Sequence, residues 1–307
     1  MSGVVGVTVR VPAKVNLQLT VGPRRPDGYH DLANVFQAIS LYDEVTATPA
    51  DELCITVEGL GSATDVSGVP TDDSNLAVRA AAALAARAGI EPRVALRIRK
   101  AIPVAGGMAG GSADAAAALL ACDALWGTGM SRADLDEVAA GLGADVPFAL
   151  LGNTALGVAR GDRLSEVLGR GQFHWVLAVD PAGLSTAAVY AECDRLRGGA
   201  TVPAPVADPA LMSALRAGDA AALGRALSND LQAAALSLRP SLAGTLESGR
   251  EFGVLGAVVS GSGPTCAFLV ADAQAALDVA IGLSALGVCR DVRRATGPVP
   301  GARVISG

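Results

Sequence analysis

The hydrophobic positions of this chain follow two different periods. Close to the N-terminus, "VVGVTVRVPAKVNLQLTV" is rich in valine and alternates with a period of two, which predicts a strand. Two later stretches of the same kind, "VFQAISLYDEVTATPA" and "ELCITVEG", predict further strands, and "GPRRPDGYHDL" predicts the loop before them. By contrast, "DDSNLAVRAAAALAARAG" has capping residues, an alanine-rich run and Gly89 as a stop, and it predicts a helix.

A glycine-rich loop stands in the middle of the first half. The strand "RVALRIRKAIP" ends at Pro103, the loop "VAGGMAGG" follows, and an alanine-rich helix then runs to about Trp126. A further helix is predicted over "SRADLDEVAAGLG", with Ser131 as its N-cap and Asp134 three residues later. The chain then returns through several glycines to the strand "FHWVLAVDP".

The second half of the chain is richer in helical patterns. Helices are predicted over "STAAVYAECDRLRG", "DPALMSALRAGDAAALGRALSNDL", "SLAGTLESGREFG" and "DAQAALDVAIGLSALG", with strands on both sides of "SGSG" and at "GARVISG". Strands and helices that mix without a regular βαβ rhythm favour an α+β fold. A length of 307 residues predicts two domains, which we assign to residues 1–170 and 171–307, with a C-terminal tail able to return to the first domain.

Composition and charge exclude several classes of protein. The net charge of −6, without a basic tail, argues against nucleic acid as a partner. Residues 252–271 carry no charge, but "SGSGP" interrupts them, so no membrane span is expected. The N-terminus lacks the pattern of a signal peptide. Five scattered cysteines predict small buried hydrophobic residues in a reducing cytoplasm.

The glycine-rich loop has the composition of a site for phosphate. Gly106, Gly107, Gly110 and Gly111 permit close approach to the backbone, and the first N–H groups of the next helix attract an anion. Ser112 is placed to cap that helix or to donate to a phosphate oxygen. The loop has no lysine of the Walker type and no GxGxxG, so a tight turn with packing glycines is an equal alternative.

Candidate catalytic residues flank the loop in sequence. Lys14 and Lys100 are the two lysines among 24 cationic residues; Lys14 lies in an apolar stretch, whereas Lys100 ends a strand and fits a simple compositional explanation. Asn16 would face the same side of a strand as Lys14. Asp145, in "GADVPF", is either a base that accepts a hydroxyl proton or an N-cap before Pro147.

Three stretches together resemble the motifs of the GHMP kinase family. "VPAKVNLQLTV" resembles the first motif, "PVAGGMAGGSADAAAAL" the second and "SGSGPTCAFL" the third, in the family's order and across essentially the whole chain. Alone, "SGSGPT" fits an ordinary hairpin turn as well as a second phosphate-guarding turn. The resemblance implies a two-domain α+β kinase with its active site in the interdomain cleft and ATP as co-substrate. No dedicated metal ligand is evident in the sequence, so Mg²⁺ is expected to rely on phosphate oxygens and waters.

The resemblance also implies roles for individual residues. Asp145 would be the base, Lys14 its catalytic partner and Asn16 a contact to the substrate. Ala109 and Ala113 depart from the glycine or serine that relatives often carry, so that Ser112 would supply the hydroxyl. The residues expected to bind ATP, with Asn75 beside the adenine, are Asn75, Pro103, Val104, Ala105, Gly106, Gly107, Met108, Ala109, Gly110, Gly111, Ser112 and Ala113.

One further stretch, "RRPDGYHDLANVFQAISLYDEV", resembles a branch of the family that acts in isoprenoid precursor synthesis on a small molecule with a cytidine diphosphate moiety. The resemblance implies that Tyr29 and His30 contact the cytidine, with His30 bonded to the cytosine and Tyr190 as the stacking candidate. The residues alone also fit a solvated surface loop. Alternatives are a kinase for a mevalonate-like or homoserine-like acceptor, a non-catalytic nucleotide-binding module and, against the acidic charge, an RNA-binding protein.

Overall fold

The computed structural model of this chain describes residues 6–60, 65–180 and 182–307. The first two residues of the first predicted strand, 4 and 5, lie outside these ranges. The strands are β1 (Val7–Arg24), β2 (His30–Pro49), β3 (Cys54–Gly59), β4 (Val94–Lys100), β5 (Thr154–Ala159), β6 (Arg163–Glu166), β7 (Phe173–Val179), β8 (Ser228–Asn229), β9 (Gly256–Val259), β10 (Cys266–Val270), β11 (Asp291–Gly297) and β12 (Arg303–Ser306). The helices are α1 (Leu76–Ala88), α2 (Gly110–Trp126), α3 (Arg132–Leu142), α4 (Val146–Leu151), α5 (Thr186–Arg197), α6 (Pro209–Ala217), α7 (Ala220–Ala226), α8 (Gln232–Leu238), α9 (Ser241–Glu251) and α10 (Ala273–Leu286).

The first sheet is built around a long antiparallel hairpin of β1 and β2. Its strand order is β12-β1-β2-β4-β3. In addition, β5 pairs with the N-terminal part of β2, β6 pairs with β5, and β8 pairs in parallel with β1. The predicted Asp27-Gly28 turn closes the hairpin, and Gly28 takes a φ of 86°, which glycine adopts without strain. The alternating valines of β1 are buried in the main core, on which α1 and α2 pack.

The second sheet has the order β11-β7-β10-β9, and it carries the helices of the second half. Hydrogen bonds, one of them fully buried, join it to the first sheet. The indole Nε1 of Trp175 on β7 donates to Oε1 of Gln37 on β2 at 3.0 Å, and the backbone N–H of Thr296 donates to Ser40 Oγ at 2.8 Å. Two sheets with helices packed around them confirm the predicted α+β fold.

Local capping signals correctly fixed several helix ends. The Asn75 side chain accepts from the N–H of Ala77 at the start of α1, and Gly89 ends that helix at a φ of 69°. Ser131 caps α3 as predicted. The prediction that Ser112 caps α2 is wrong. The N-cap position is Ala109, at a φ of 59°, and Ser112 lies inside the first turn of the helix.

Other elements differ from the predictions for identifiable reasons. The single helix predicted from residue 208 is divided into α6 and α7, because Gly218 ends the first at a φ of 71° and Asp219 caps the second. The strand β11 and the helix α8 were not predicted. Cys54 is exposed, so the expectation of buried cysteines is wrong for that residue. Across the described ranges, no helix combines the length and the apolar character needed to cross a membrane.

Candidate active site

A cavity of about 460 Å³ opens between the two sheets, and we call it the phosphate cleft after the ligand that the sequence predicts for its glycine-rich loop. One wall is the first turn of α2 with the loop before it, the opposite wall is the turn between β9 and β10, and the floor is formed by β1 and β2. The residues that line it include Lys14, Asn16, Asn34, Ala105, Gly106, Gly107, Ala109, Gly110, Gly111, Ser112, Asp145, Arg160, Tyr190, Gly261, Ser262 and Gly263.

The floor of the phosphate cleft carries a row of buried polar side chains. Lys14 Nζ donates to Asn16 Oδ1 at 2.7 Å, and Asn16 Nδ2 donates to Asn34 Oδ1 at 2.8 Å. Lys14 and Asn16 therefore face the same side of β1, as the strand period predicts. Burial lowers the pKa of the Lys14 ammonium, and the charge of Asp145 offsets part of that effect. The row therefore places one ionisable group, the Lys14 amine, beside two neutral amides at the floor of the cleft.

Asp145 occupies the N-cap position of α4 but does not cap it. In the described part of the chain its carboxylate accepts no hydrogen bond from the N–H groups of that helix. Pro147 near the start of the helix needs no such bond. The carboxylate instead lines the phosphate cleft and acts electrostatically on Lys14. This arrangement leaves the carboxylate available to a hydroxyl group in the cleft and weakens the alternative in which Asp145 is only a cap.

The glycines of the loop serve two different purposes. Gly107 has a φ of 74°, and a Cβ there would lie 2.4 Å from the carbonyl oxygen of Ser260, so this position requires glycine for packing. At Gly111 the nearest atom to an added Cβ is Leu76 Cδ1 at 3.8 Å, an ordinary contact, so packing does not require glycine at this position, which lines the cleft. The packing alternative is correct for the first position, whereas the second has the bare backbone that close approach of an anion needs.

The remaining residues expected to bind ATP separate into two groups. Asn75, Pro103 and Val104 line an adjoining cavity of about 210 Å³, which shares Ala105, Gly110 and Gly111 with the phosphate cleft. Met108 and Ala113 are 1% exposed, and their side chains lie in the main core and line neither cavity. Any contribution of these two to a nucleotide therefore comes from the backbone.

A second cavity, of about 940 Å³, continues from the phosphate cleft, and we call it the nucleobase cavity after the group expected beside Tyr29 and His30. Tyr29, His30 and Tyr190 line it together, as the sequence analysis expected. Tyr29 is 59% exposed at its mouth, whereas His30 is buried with its ring centroid 5.3 Å from that of Tyr190. Burial, followed by the charge of Asp145, raises the pKa of the Tyr190 phenol. The two cavities share Leu32, Ala144, Arg160, Thr186 and Tyr190.

Three polar residues of these cavities were missed by the sequence analysis. Asn34 completes the buried row, Arg160 borders both cavities, and Asp194 lies 2.9 Å from Nε2 of His30. For Asn34 a signal was available, because it lies four residues after His30 on a strand with a period of two. For Arg160 and Asp194 there was none, since only the tertiary fold brings them to the site.

A cluster of charged residues lies beneath the loop. Lys100 Nζ is 2.5 Å from Asp43 Oδ2 and 2.6 Å from Asp114 Oδ2, and all three side chains are buried. Asp43 Oδ1 also accepts the backbone N–H groups of Ala101 and Ile102, at 2.6 and 2.8 Å. The compositional explanation of Lys100 is therefore wrong, because this lysine fastens β2, β4 and α2 together just before the glycine loop.

The acidic side chains near the phosphate cleft bear on metal binding. The described residues contain no group of three or more His, Cys, Asp and Glu side chains that could hold a metal ion. Asp145 is the carboxylate that borders the phosphate cleft, whereas Asp43 and Asp114 are engaged by Lys100. A divalent cation in this cleft would accordingly take most of its oxygen ligands from a bound phosphate chain and from water.

The fold and the cleft are those of the GHMP kinase family, to which this chain belongs. The sequence profile described as "GHMP kinases N terminal domain" matches residues 75–153, and the one described as "GHMP kinases C terminal" matches residues 211–287. A curated relative from Streptomyces avermitilis, named 4-diphosphocytidyl-2-C-methyl-D-erythritol kinase, is 64% identical over 97% of this chain and 99% of its own. A relative of the same name from Thermobifida fusca is 57% identical over 99% of this chain and 100% of its own.

Two solved structures match this chain with similar TM-scores but different sequence identities. A crystal structure of 4-(cytidine 5'-diphospho)-2C-methyl-D-erythritol kinase matches with a TM-score of 0.73 and 33% identity, over 94% of this chain and 98% of that chain. Mevalonate kinase from L. major, in complex with R-mevalonate, matches with a TM-score of 0.74 but only 16% identity, over 95% of both chains. The second likeness concerns the fold alone.

Proposed function

We propose that this chain is an ATP-dependent kinase that phosphorylates the 2-hydroxyl of 4-(cytidine 5'-diphospho)-2-C-methyl-D-erythritol in the non-mevalonate route to isoprenoid precursors. The observation that carries the proposal is the continuity of two cavities. A phosphate cleft with Lys14 and Asp145 opens directly into a cavity lined by Tyr29, His30 and Tyr190. The identity of 64% to a relative named for this reaction supports the same substrate.

The chemistry follows from the side chains of the phosphate cleft. Asp145 accepts the proton of the 2-hydroxyl, and the resulting oxygen attacks the γ-phosphorus of ATP. The bond from the γ-phosphorus to the bridging oxygen breaks, and ADP leaves. The ammonium of Lys14 stabilises the charge that develops on the transferred phosphoryl group. Asn16 holds Lys14 in place through a 2.7 Å bond and borders the acceptor.

ATP is assigned to the glycine-rich loop and the two cavities beside it. The backbone at Gly110 and Gly111 begins α2, whose free N–H groups attract the phosphates. The smaller cavity with Asn75, Pro103 and Val104 is the proposed place of the adenine. Mg²⁺ would neutralise the phosphate charge, held by phosphate oxygens and waters.

The cytidine diphosphate moiety is assigned to the nucleobase cavity. Tyr29 and Tyr190 offer flat aromatic faces for stacking, and His30 offers a polar ring atom to the edge of the base. Arg160, at the junction of the two cavities, provides a positive charge near the diphosphate.

The domain arrangement is part of the same proposal. We divide the domains near residue 170, before the first strand of the second sheet, with β8 and β12 returning to the first sheet; the strand pairing supports this division. We place the enzyme in the cytoplasm, which accords with five free cysteines.

A phosphotransfer assay with Mg-ATP tests the proposal. The acceptors are the cytidine diphosphate substrate, mevalonate and homoserine, and the product is identified by its mass. We expect turnover with the first acceptor alone. Turnover of mevalonate or homoserine instead would contradict the assignment, and ATP binding without any turnover would favour a non-catalytic module.

The Asp145→Asn variant tests the assigned base. Because a positioned general base contributes about 10²–10⁴ in rate, kcat should fall by about that factor while calorimetric ATP binding is retained. Asp136→Asn is the matched control, since Asp136 is an exposed carboxylate on α3 that pairs with Arg132. Unchanged phosphoryl transfer in Asp145→Asn would show that another group accepts the proton.

A further inference from the structure

Asp194 borders the nucleobase cavity one helical turn after Tyr190 on α5. Its Oδ1 lies 2.9 Å from Nε2 of His30, and its Oδ2 lies 3.8 Å from Nε of Arg24. The His30 side chain is only 4% exposed, whereas the Arg24 side chain is 66% exposed. The contact with His30 is therefore partly buried, whereas the contact with Arg24 is a weak surface pair.

The contact with Asp194 determines which nitrogen of His30 carries hydrogen. A carboxylate accepts hydrogen bonds, so in the neutral form of the imidazole this contact places the proton on Nε2. The other nitrogen, Nδ1, is then left as an acceptor. Within the described ranges, no protein group makes a hydrogen bond to Nδ1. The ring lines the cavity, and Nδ1 is its remaining polar atom.

An acceptor at this position distinguishes two pyrimidines. Cytosine carries an amino group at position 4, which donates, whereas uracil carries a carbonyl oxygen there, which accepts. We infer that Asp194 is a positioning residue that holds His30 as a hydrogen-bond acceptor and thereby selects cytidine over uridine diphosphate substrates. The inference rests on the proposed function, in which the base enters the nucleobase cavity.

A purely mechanical role for Asp194 is less consistent with the packing around His30. Tyr190 also packs against the ring, with the centroids 5.3 Å apart and the two planes inclined by 30°. The hairpin that carries His30 is also fastened to α5 by Arg197, which donates to the backbone oxygens of Val21 and Gly22 at 2.8 and 3.1 Å. The property that Asp194 adds is the protonation pattern of the imidazole.

The Asp194→Asn variant tests this inference. An amide can either accept from Nε2–H or donate to a bare Nε2, so it permits both tautomers of His30. We expect KM for the cytidine substrate to rise about tenfold with kcat nearly unchanged. The ratio of kcat/KM for the cytidine substrate to that for its uridine analogue should also fall about tenfold, in keeping with the loss of one discriminating hydrogen bond.

Two control variants separate selection from structure. Glu192→Gln lies on the same helix, where Glu192 pairs with Arg195 and Ser237 outside the cavity, and it should leave the ratio unchanged. Asp194→Glu keeps an acceptor-only group and should retain a high ratio even where KM rises. A ratio that falls in Glu192→Gln as far as in Asp194→Asn would overturn the inference.

A double-variant cycle with His30→Ala gives the decisive comparison. If Asp194 acts through His30, adding Asp194→Asn to His30→Ala leaves the cytidine-to-uridine ratio where it was. An equal loss for both substrates in Asp194→Asn, or a further change of the ratio in the His30→Ala background, overturns the inference. If the wild-type chain phosphorylates neither substrate, the proposed function has failed, and calorimetric binding of CDP against UDP to the same variants still decides the role of Asp194.

Discussion

The two lysines of this chain occupy opposite electrostatic environments within one domain. Lys100 lies beneath the glycine loop, with its ammonium 2.5 and 2.6 Å from Asp43 and Asp114. Lys14 lies at the floor of the phosphate cleft, where its bonded partner is the neutral amide of Asn16. Both are buried, so the difference between them is the number of carboxylates that compensate each charge.

The pKa values follow from this difference. Burial alone would lower the pKa of Lys100, but the charges of Asp114 and Asp43 raise it above its ordinary value. For Lys14, burial lowers the pKa, and Asp145 compensates only in part. We therefore expect Lys100, with its two carboxylate partners, to stabilise the structure. We expect Lys14, whose charge is compensated only in part, to cost stability and to act on a ligand.

The largest effect is expected from Lys14→Met, which removes the charge and keeps the length of the side chain. We expect kcat to fall about 10²–10³-fold, the cost of losing one electrostatic contact to the transition state. The free energy of unfolding, measured by urea titration, should not fall, since a desolvated charge is replaced by an apolar group. A variant that is both active and destabilised would reverse the roles assigned to the two lysines.

Lys100→Met should give the opposite result. Removal of this ammonium leaves two buried carboxylates without a positive charge beside them, so the free energy of unfolding should fall by about 3–5 kcal/mol. Urea titration measures this loss, and Arg132→Met, which breaks an exposed pair with Asp136, is a control expected to change stability by less than about 1 kcal/mol. If the free energy of unfolding falls as little as in the control, the cluster of Lys100, Asp43 and Asp114 does not stabilise the fold.

Two alanine substitutions crowd one lysine each. In Gly261→Ala, the added Cβ lies 3.2 Å from Lys14 Nζ, at a φ of 58° that alanine adopts only with strain, and we expect kcat/KM to fall about tenfold. In Gly110→Ala, the Cβ lies 3.4 Å from Lys100 Nζ within a helix, and stability should change by less than about 1 kcal/mol. Steady-state kinetics of Gly261→Ala and thermal unfolding of Gly110→Ala check these expectations, and an unchanged kcat/KM in Gly261→Ala would contradict the first.

The smallest effect concerns pH. Because burial lowers the pKa of Lys14 from its ordinary 10.5, its charge is lost at a pH below that value as the solution becomes more alkaline. The alkaline fall of kcat should therefore begin below pH 10.5. Lys100, with its raised pKa, keeps its charge through this range, so the protein remains folded by circular dichroism. A kcat that stays constant up to pH 10.5 would exclude Lys14 as the titrating group.

Much of the fold could be predicted because its signals are local. Asn75 and Gly89 fix the ends of α1 by a side-chain bond and a left-handed conformation, both of which are written in the residue types. The strand β11 was missed because Arg293 and Arg294 interrupt its hydrophobic alternation, and pairing with β7 overrides that pattern. The two-residue strand β8 is too short to have a period at all.

The candidate site likewise contains residues that the sequence predicts and residues that only the fold brings together. Lys14, Asn16, Asp145 and the glycine loop lie in motifs that the chain itself presents, and their roles remain predictions for the experiments above. The pairing of His30 with Asp194 joins residues 164 positions apart, and no pattern of either segment encodes it. The carboxylates around Lys100 likewise come from β2 and α2, which only the folded sheet brings together.

The pairing of β12 with β1 has a consequence for biosynthesis. Arg303–Ser306 forms the outer strand of the sheet that holds Lys14, beside residues 8–10. A ribosome releases residues in order, so the whole second domain must be translated before this strand exists. Until then, the nascent first domain has an uncovered strand edge that other chains can pair with. The sheet of the first domain can therefore be completed only after the second domain has been synthesised.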